Sequence, residues 1–248
     1  MRAVVVGAST GLGRCIGIGL AQRGADVALL ARREDLLADA AKEAGPGTLA
    51  IACDATDERS CRQAVDEAAR GLGGIDAVVY AAGISVLRRI EELTVADWHR
   101  TFATNVIGAT QVTAAALPHL VESKGVAAYL SSVSASLTAP WPGLASYTVT
   151  KAALEKLVEA WRSEHPDVGF TRIVVGECAG GEGHGTSQFT AQWDMELAAE
   201  MFPVWTARGV LTDKLMDVDH LVGAIDAVLR CGATAAIPSI AVTPRRPI

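Results

Sequence analysis

Ala3-Val4-Val5-Val6-Gly7-Ala8-Ser9-Thr10-Gly11-Leu12-Gly13, running on through Arg14-Cys15-Ile16-Gly17-Ile18-Gly19-Leu20-Ala21-Gln22, sets the fold class of this chain. Four apolar residues in a row, without polar alternation, suit a strand buried on both faces, as in a parallel sheet. The glycines then break the strand. The segment from Arg14 reads as a helix whose own glycines suit close packing against the sheet. A strand, a glycine-rich turn and a helix N-terminus together make an anion site, because the first N–H groups of a helix point outward and its dipole favours negative charge. The spacing Gly7-x-x-x-Gly11-x-Gly13 differs from the Gly-x-Gly-x-x-Gly of many dinucleotide-binding turns. The physical demand is similar, since missing side chains let a pyrophosphate reach the backbone. A plain glycine-rich turn is the alternative, and the position directly after the first strand argues against it.

Outward from this stretch, strand-like and helix-like runs alternate along nearly the whole chain. The pattern predicts strands at Asp26–Ala31, Leu49–Ala52, 76–80, 126–130, 170–175 and 235–238. It predicts helices at Glu34–Ala44, 57–72 with Asp57 as N-cap, 94–117, one through Tyr147 to Trp161, and 217–231. Such alternation means a single α/β domain over residues 1–248: a Rossmann-type, doubly wound parallel sheet with helices on both faces and right-handed crossovers. No linker, repeat or low-complexity tract divides it.

Composition narrows the function. The 248 residues carry a formal net charge of −6 and no long basic stripe, which argues against nucleic acid. No apolar run is long enough to span a bilayer and no signal peptide precedes the first strand, so a cytoplasmic protein is expected. Cys15, Cys53, Cys61, Cys178 and Cys231 lack metal-like or disulfide spacing and read as reduced, mostly buried small residues. No metal site is expected.

The strand at Asp26–Ala31 ends where a dinucleotide fold chooses its cofactor. An acidic residue there binds the ribose hydroxyl of NAD, whereas arginine accommodates the 2′-phosphate of NADP. Here Arg32 and Arg33 follow the strand, and Arg14 adds a third cation beside the turn. NADP(H) is favoured over NAD(H) on this reading. The alternative is that Glu34 and Asp35 neutralise the arginines, which would leave an NAD-dependent enzyme.

Tyr147-Thr148-Val149-Thr150-Lys151 places a phenol and an ammonium four residues apart, on one face of a helix. A free tyrosine ionises near ~10, and a lysine charge held beside it would lower that value toward general acid/base work. The pair alone is common in ordinary helices.

With these pieces in order, the chain resembles the short-chain dehydrogenase/reductase family across most of its length. Its two principal signatures are Gly7-x-x-x-Gly11-x-Gly13, with Ser9, Thr10 and Leu12 inside the turn, and Tyr147-x-x-x-Lys151. Asp54, followed by Ala55, resembles the family's adenine-contacting carboxylate. Tyr80-Ala81-Ala82-Gly83 resembles its Asn-Asn-Ala-Gly motif, with Tyr and Ala in place of the asparagines. Asn105 matches the catalytic asparagine. Ser132 matches the catalytic serine by its place at a strand end, while Ser134 fits the commoner spacing to the tyrosine; Ser131 and Ser136 read as structural. The resemblance implies hydride transfer between a nicotinamide and a carbonyl or alcohol. Tyr147 would exchange the proton, Ser132 would bond the substrate oxygen, Lys151 would lower the tyrosine pKa and hold the ribose, and Asn105 would support a water-linked proton route.

Two stretches depart from the family pattern. The run 176–186 replaces its usual Pro-Gly; Thr186 stands in for the threonine that touches the cofactor, and Glu182 and His184 read as solvated loop residues or substrate contacts. The tail 242–248 lacks the family's Asp-Gly-Gly ending and reads as exposed. The resemblance further implies a substrate lid over about 177–216, where Phe189, Trp193, Met195, Met201, Phe202 and Trp205 suit an apolar substrate, with Trp141 as another wall; lid-to-body packing is the alternative. It also implies a homodimer or homotetramer through the helices near Asn105 and after Tyr147, for which Leu154, Leu157, Val158 and Trp161 offer apolar surface unless they pack on the sheet. A nucleotide sensor without chemistry is the reading from another class, and the retained Tyr147, Lys151, Asn105 and Ser132 argue against it.

Overall fold

Side chains of β1 (Arg2–Val6) alternate between two cores: Val4 and Val6 pack on one face of the sheet, Ala3 and Val5 on the other. Both faces are covered, which is why no polar residue interrupts the run. The computed structural model describes residues 1–181, 187–212, 214–231 and 233–245. Strands β2 (Asp26–Ala31), β3 (Leu49–Ala52), β4 (Ala77–Tyr80), β5 (Val126–Ser132), β6 (Gly169–Val175) and β7 (Ser239–Val242) complete the sheet. Among the described residues it has seven strands, all parallel, in the order β3-β2-β1-β4-β5-β6-β7.

Around it run α1 (Gly11–Gln22), α2 (Glu34–Ala44), α3 (Glu58–Leu72), α4 (Val95–Phe102), α5 (Gly108–Ser123), α6 (Val133–Ser136), α7 (Ala145–Glu164), α8 (Met195–Ala207) and α9 (Val218–Leu229). Helices α3, α5 and α7 cover the Val4/Val6 face, and α1, α2 and α9 cover the other. The expected doubly wound fold is present. Asp57 caps α3 as expected, its carboxylate accepting from the Ser60 N–H at 2.6 Å.

Two expectations change, and one alternative left open is decided. The last strand lies at Ser239–Val242 rather than 235–238. Pro238 has no N–H to give the ladder; it offers only its carbonyl, to the Arg172 N–H, and the regular pairing starts after it. The helix expected over 94–117 is broken by a π-helical turn, Ala103–Ile107, between α4 and α5. It also continues past Pro118, because Pro118 and Ala114 lie on the exposed face, where the carbonyl that the proline frees is open to solvent. Finally, Leu154 and Val158 are buried in the core of this chain, with Leu157 and Trp161 packed against it, so these residues are spent on the sheet. Among the described residues no helix is long and apolar enough to cross a membrane. Cys53 and Cys61 are buried, whereas Cys15, Cys178 and Cys231 are half-exposed, and all five are free.

Candidate active site

β1 and β4 are neighbours, yet β1 feeds β2 on one side and β4 feeds β5 on the other. The strand order therefore splits at their C-terminal ends, where open α/β sheets hold their ligands. A cleft of about 670 Å³ opens there. Its floor at one end is the glycine turn. Gly7 has φ +84°, and a Cβ on it would stand 2.6 Å from the Ala82 nitrogen; a Cβ on Gly13 would stand 2.3 Å from the Gly7 oxygen. Neither position has room for a side chain, since both obstacles are backbone. Thr10, at the N-cap of α1, makes no side-chain bond to the helix N–H groups. Instead Arg33 Nη2 donates to Thr10 Oγ1 at 2.7 Å and to Ser9 Oγ at 2.9 Å. The helix start thus faces the cleft with uncapped N–H groups and a guanidinium folded over it, a donor set that fits the phosphates of a dinucleotide.

Gly7, Ser9, Thr10, Gly11, Leu12, Gly13, Arg32, Arg33, Asp54, Ala55, Ala81, Ala82 and Gly83 all line the cleft. Arg14 does not. It donates to the Leu36 carbonyl at 3.1 Å and pairs with Glu43 at 2.7 Å, so it ties α1 to α2 instead of adding a third cation to the site. Glu34 and Asp35 occupy the first turn of α2, where the helix dipole accepts them, and neither pairs with Arg32 or Arg33 among the described ion pairs. Burial and the neighbouring Arg32 charge pull the Arg33 guanidinium below its ordinary value. Burial acts upward on Asp54, but hydrogen bonds from Thr56 and the charge of Arg32 outweigh it and hold the carboxyl low. Thr186, Glu182, His184 and residues 246–248 lie outside the described residues; of the tail expected to be exposed over 242–248, Val242 ends β7 and Pro244 is buried, while Thr243 and Arg245 are exposed.

At the other end, Ser132, Ser134, Tyr147 and Lys151 line the same cleft. The Ser132 side chain lies beside the Tyr147 phenol, whose ionised form it favours, and its Oγ stands 3.0 Å from Ser134 Oγ. Ser134 is buried, with Thr148 donating to it at 3.4 Å, so it backs Ser132 rather than meeting the tyrosine. Lys151 donates to the Leu130 carbonyl at 2.6 Å, and its Nζ lies 5.7 Å from the centre of the Tyr147 ring. The expected lowering of the phenol by the lysine is not the effect that governs. Burial pushes Tyr147 up to about 12, with the nearby Ser132 hydroxyl pulling it back, and burial pushes Lys151 down to about 8. Desolvation acts on both groups, whereas the lysine is turned toward the strand.

Asn105 sits in the π-helical turn, fully buried. Its Oδ1 accepts from the Ile84 N–H at 2.8 Å, while Nδ2 donates to the Ile84 carbonyl at 3.0 Å and to Thr150 Oγ1 at 2.9 Å. The amide therefore clamps the loop after Gly83 to α7, one residue from Lys151. Tyr80, in place of the family's asparagine, donates to the Thr104 carbonyl at 2.6 Å and pins the same turn from the sheet side.

Above these groups, Trp141, Phe189, Trp193, Phe202 and Trp205 line the cleft. Phe189 meets the Tyr147 ring edge-on at 4.9 Å between centroids. Met201 packs in a small core with Leu87, Leu144 and Trp205, and Met195 turns outward, so neither reaches the cleft. Sequence reasoning missed Ser85, which accepts from Trp193 Nε1 at 2.8 Å and donates to the Phe189 carbonyl at 2.7 Å, and so fastens this segment to the body. It also missed Thr150 and Glu155. Glu155 lies four residues beyond Lys151 and eight beyond Tyr147, and that spacing was the available signal.

A model of the short chain dehydrogenase family matches residues 1–199. The 11-beta-hydroxysteroid dehydrogenase A of Sesamum indicum is 34% identical over 181 residues, covering 70% of this chain and 51% of that protein. The 11-beta-hydroxysteroid dehydrogenase 1A of Arabidopsis thaliana is 37% identical over 184 residues, with the same shares. The chain spans about half the length of these curated relatives. Among solved structures, a short-chain type dehydrogenase/reductase from Mycobacterium marinum superposes with a TM-score of 0.83 at 25% identity, over 98% of this chain and 93% of that one. An alcohol dehydrogenase from the archaeon Thermococcus sibiricus, complexed with 5-hydroxy-NADP, has the same fold, with a TM-score of 0.79 at 24% identity over 99% and 98%. The matched region takes in the glycine turn, Asn105, Ser132, Tyr147 and Lys151, and the chain belongs to the short chain dehydrogenase family, whose members are NAD(P)-dependent oxidoreductases.

Proposed function

We propose that the protein is a cytoplasmic oxidoreductase that interconverts a neutral, apolar carbonyl compound and its alcohol with NADP(H). The observation that carries this reading is the meeting of Tyr147, Ser132 and Lys151 in the cleft that begins at the glycine turn. A nicotinamide dinucleotide supplies or takes up hydride at C4 of its ring when bound. Gly7, Gly11 and Gly13 with the start of α1 would hold its phosphates, and Arg32 and Arg33 would hold the 2′-phosphate. Asp54 and Ala55 would serve the adenine, and Ala81, Ala82 and Gly83 the middle of the cofactor.

In the reducing direction the substrate oxygen takes a hydrogen bond from Ser132 and a proton from Tyr147. A phenol at about 12 is a weak acid in water, but it is far stronger than the alcohol being formed, so the proton moves downhill as charge builds on oxygen. Ser132 stabilises that charge before the proton arrives. Lys151, cationic below about 8, then stabilises the phenolate left behind. The Asn105 amide is committed at both ends, so its part is to hold the loop at Ile84 against α7, and a water-linked return of the proton falls to its backbone. The aromatic walls exclude water and favour a substrate without charge. About 177–216 acts as the lid. Ile107, Val121 and Val149 remain exposed on the π turn, α5 and α7, and the proposed assembly is a homodimer or homotetramer, which light scattering on the purified protein checks.

The test is titration of the purified protein with NADPH and NADH, followed by a screen of apolar ketones. Tighter NADPH binding and turnover that Tyr147→Phe lowers roughly 1000-fold, with cofactor affinity unchanged, is the expected result. Unchanged turnover in Tyr147→Phe removes the proton donor, and tighter NADH binding removes the cofactor assignment.

A further inference from the structure

Glu155 is a buried carboxylate, 6% exposed, on the same face of α7 as Tyr147 and Lys151, yet it does not line the cleft. Its Oε1 accepts from Ser131 at 2.6 Å and from Ser136 at 3.1 Å, while Oε2 accepts from Arg172 of β6 at 3.0 Å. A carboxylate taken out of water must be paired and hydrogen-bonded, and here every bond goes to a different part of the chain. Two of those parts flank Ser132 and Ser134. Three consecutive residues of β5 thereby meet three turns of α7: the Leu130 carbonyl accepts from Lys151, Ser131 donates to Glu155, and Ser132 lies beside Tyr147.

We propose that Glu155 is a positioning residue for proton transfer: by gripping Ser131 and Ser136, on either side of Ser132, it sets where the Ser132 hydroxyl stands against the Tyr147 hydroxyl. All three of its partners donate, so the site calls for an acceptor at both oxygens. A neutral amide would leave one donor facing another. The effect on turnover rests on the reading of Tyr147 as proton donor; the effect on geometry does not.

The experiment combines a mutant cycle with a readout that needs no turnover. Glu155→Ala, Ser132→Ala and the double variant are assayed with the best ketone found, and the same proteins are labelled with 3-fluorotyrosine for fluorine NMR, the Tyr147 signal being assigned by its loss in Tyr147→Phe. Glu155→Ala is expected to lower kcat about 10- to 100-fold, as a misplaced group does, with KM and NADPH affinity unchanged. Glu155→Gln, whose amide oxygen can turn to the serines, recovers part of the loss. In the Ser132→Ala background the second substitution adds less than about twofold, because the group being positioned is gone. The Tyr147 fluorine signal in Glu155→Ala moves in the direction it moves in Ser132→Ala. Fully additive losses, or an unmoved fluorine signal in folded protein, overturn the proposal. Should Glu155→Ala fail to fold, Glu155→Gln and Ser131→Ala carry the same test. A wild-type protein without turnover defeats the functional reading, while the fluorine signal still decides the role of Glu155.

Discussion

At the α1 end of the cleft side chains have been taken away, whereas at the α7 end they have been locked together. Gly7 and Gly13 leave bare backbone because a Cβ on either would strike the main chain, and the ligands on offer are N–H groups of a helix start. Around Tyr147 the opposite holds: Ser132, Ser134, Lys151, Asn105, Thr150 and Glu155 are each held by hydrogen bonds with other side chains or with the backbone. The first construction tolerates no addition. The second tolerates no loosening. A site of the first kind fails by steric exclusion, and one of the second kind fails by misplacement of groups that are still present.

The largest effect expected from that contrast is at the bare end. Gly13→Ala drives a methyl group into the Gly7 carbonyl, and overpacking against backbone costs about 3 kcal/mol. For a chain of this size that lowers Tm by roughly 6–12 °C. Calorimetry and NADPH titration should show both the lower Tm and the loss of binding; a variant that binds normally would mean that the turn yields more easily than its geometry suggests.

Lys151→Met tests the locked end. Folding disfavours the protonated amine, whose pKa falls from 10.5 to about 8, a cost of roughly 3 kcal/mol while the group is charged. The unfolded chain keeps that proton up to about pH 10.5, so the penalty is full below about pH 8 and is lost as pH rises between these values. The variant gives up the bond from the charged amine to the Leu130 carbonyl, worth about 1.5–3 kcal/mol, and removes a penalty of similar or larger size. It should be inactive but at least as stable as wild type at pH 7, with the difference shrinking toward pH 10. Urea denaturation at pH 7 and pH 9.5 measures this, and a difference that does not change with pH would sink the assignment of cost to the buried charge.

The smallest effects separate two arginines. Arg33→Ala should cut the preference for NADPH over NADH at least about 10-fold, the worth of one charge-assisted bond. Arg14→Ala should leave that ratio alone and change stability by no more than about 1 kcal/mol, because its partner Glu43 is exposed. Equal losses of NADPH preference in both variants would mean that Arg14 leaves α2 to reach the cofactor.

These arginines also mark where sequence reading stops. The apolar strand, the glycine spacing and the Tyr147–Lys151 pair are local patterns, and the fold was legible from them and from the alternation of elements; Asp54, Ala81, Ala82, Gly83 and Ser132 were legible only through the resemblance to the family. Arg14 and Arg33 look alike in sequence, and only the place of Glu43 one helix away decides which of them faces the cleft. The strand end favours Ser132 and the spacing to the tyrosine favours Ser134, whereas the contact of Ser134 with Thr148 depends on a bend into α6 that no local pattern encodes. The sign of the Tyr147 shift depends on how much water surrounds the phenol, which no spacing encodes. Glu155 obeyed the right period, but a glutamate on a helix reads as solvated until Ser131 and Arg172 are seen beside it.

The π-helical turn at Ala103–Ile107 holds one residue more than an α-helix would use to cover the same distance. Deleting one residue in the first turn of α5 would rotate everything beyond it by about 100° and carry Val112, Ala116 and Leu120 away from the sheet. Deleting one inside the turn would merely straighten the rod, with both flanks still in phase. That turn is therefore the place along residues 95–123 where the architecture can survive the loss of a codon, and the casualty would be the aim of Asn105.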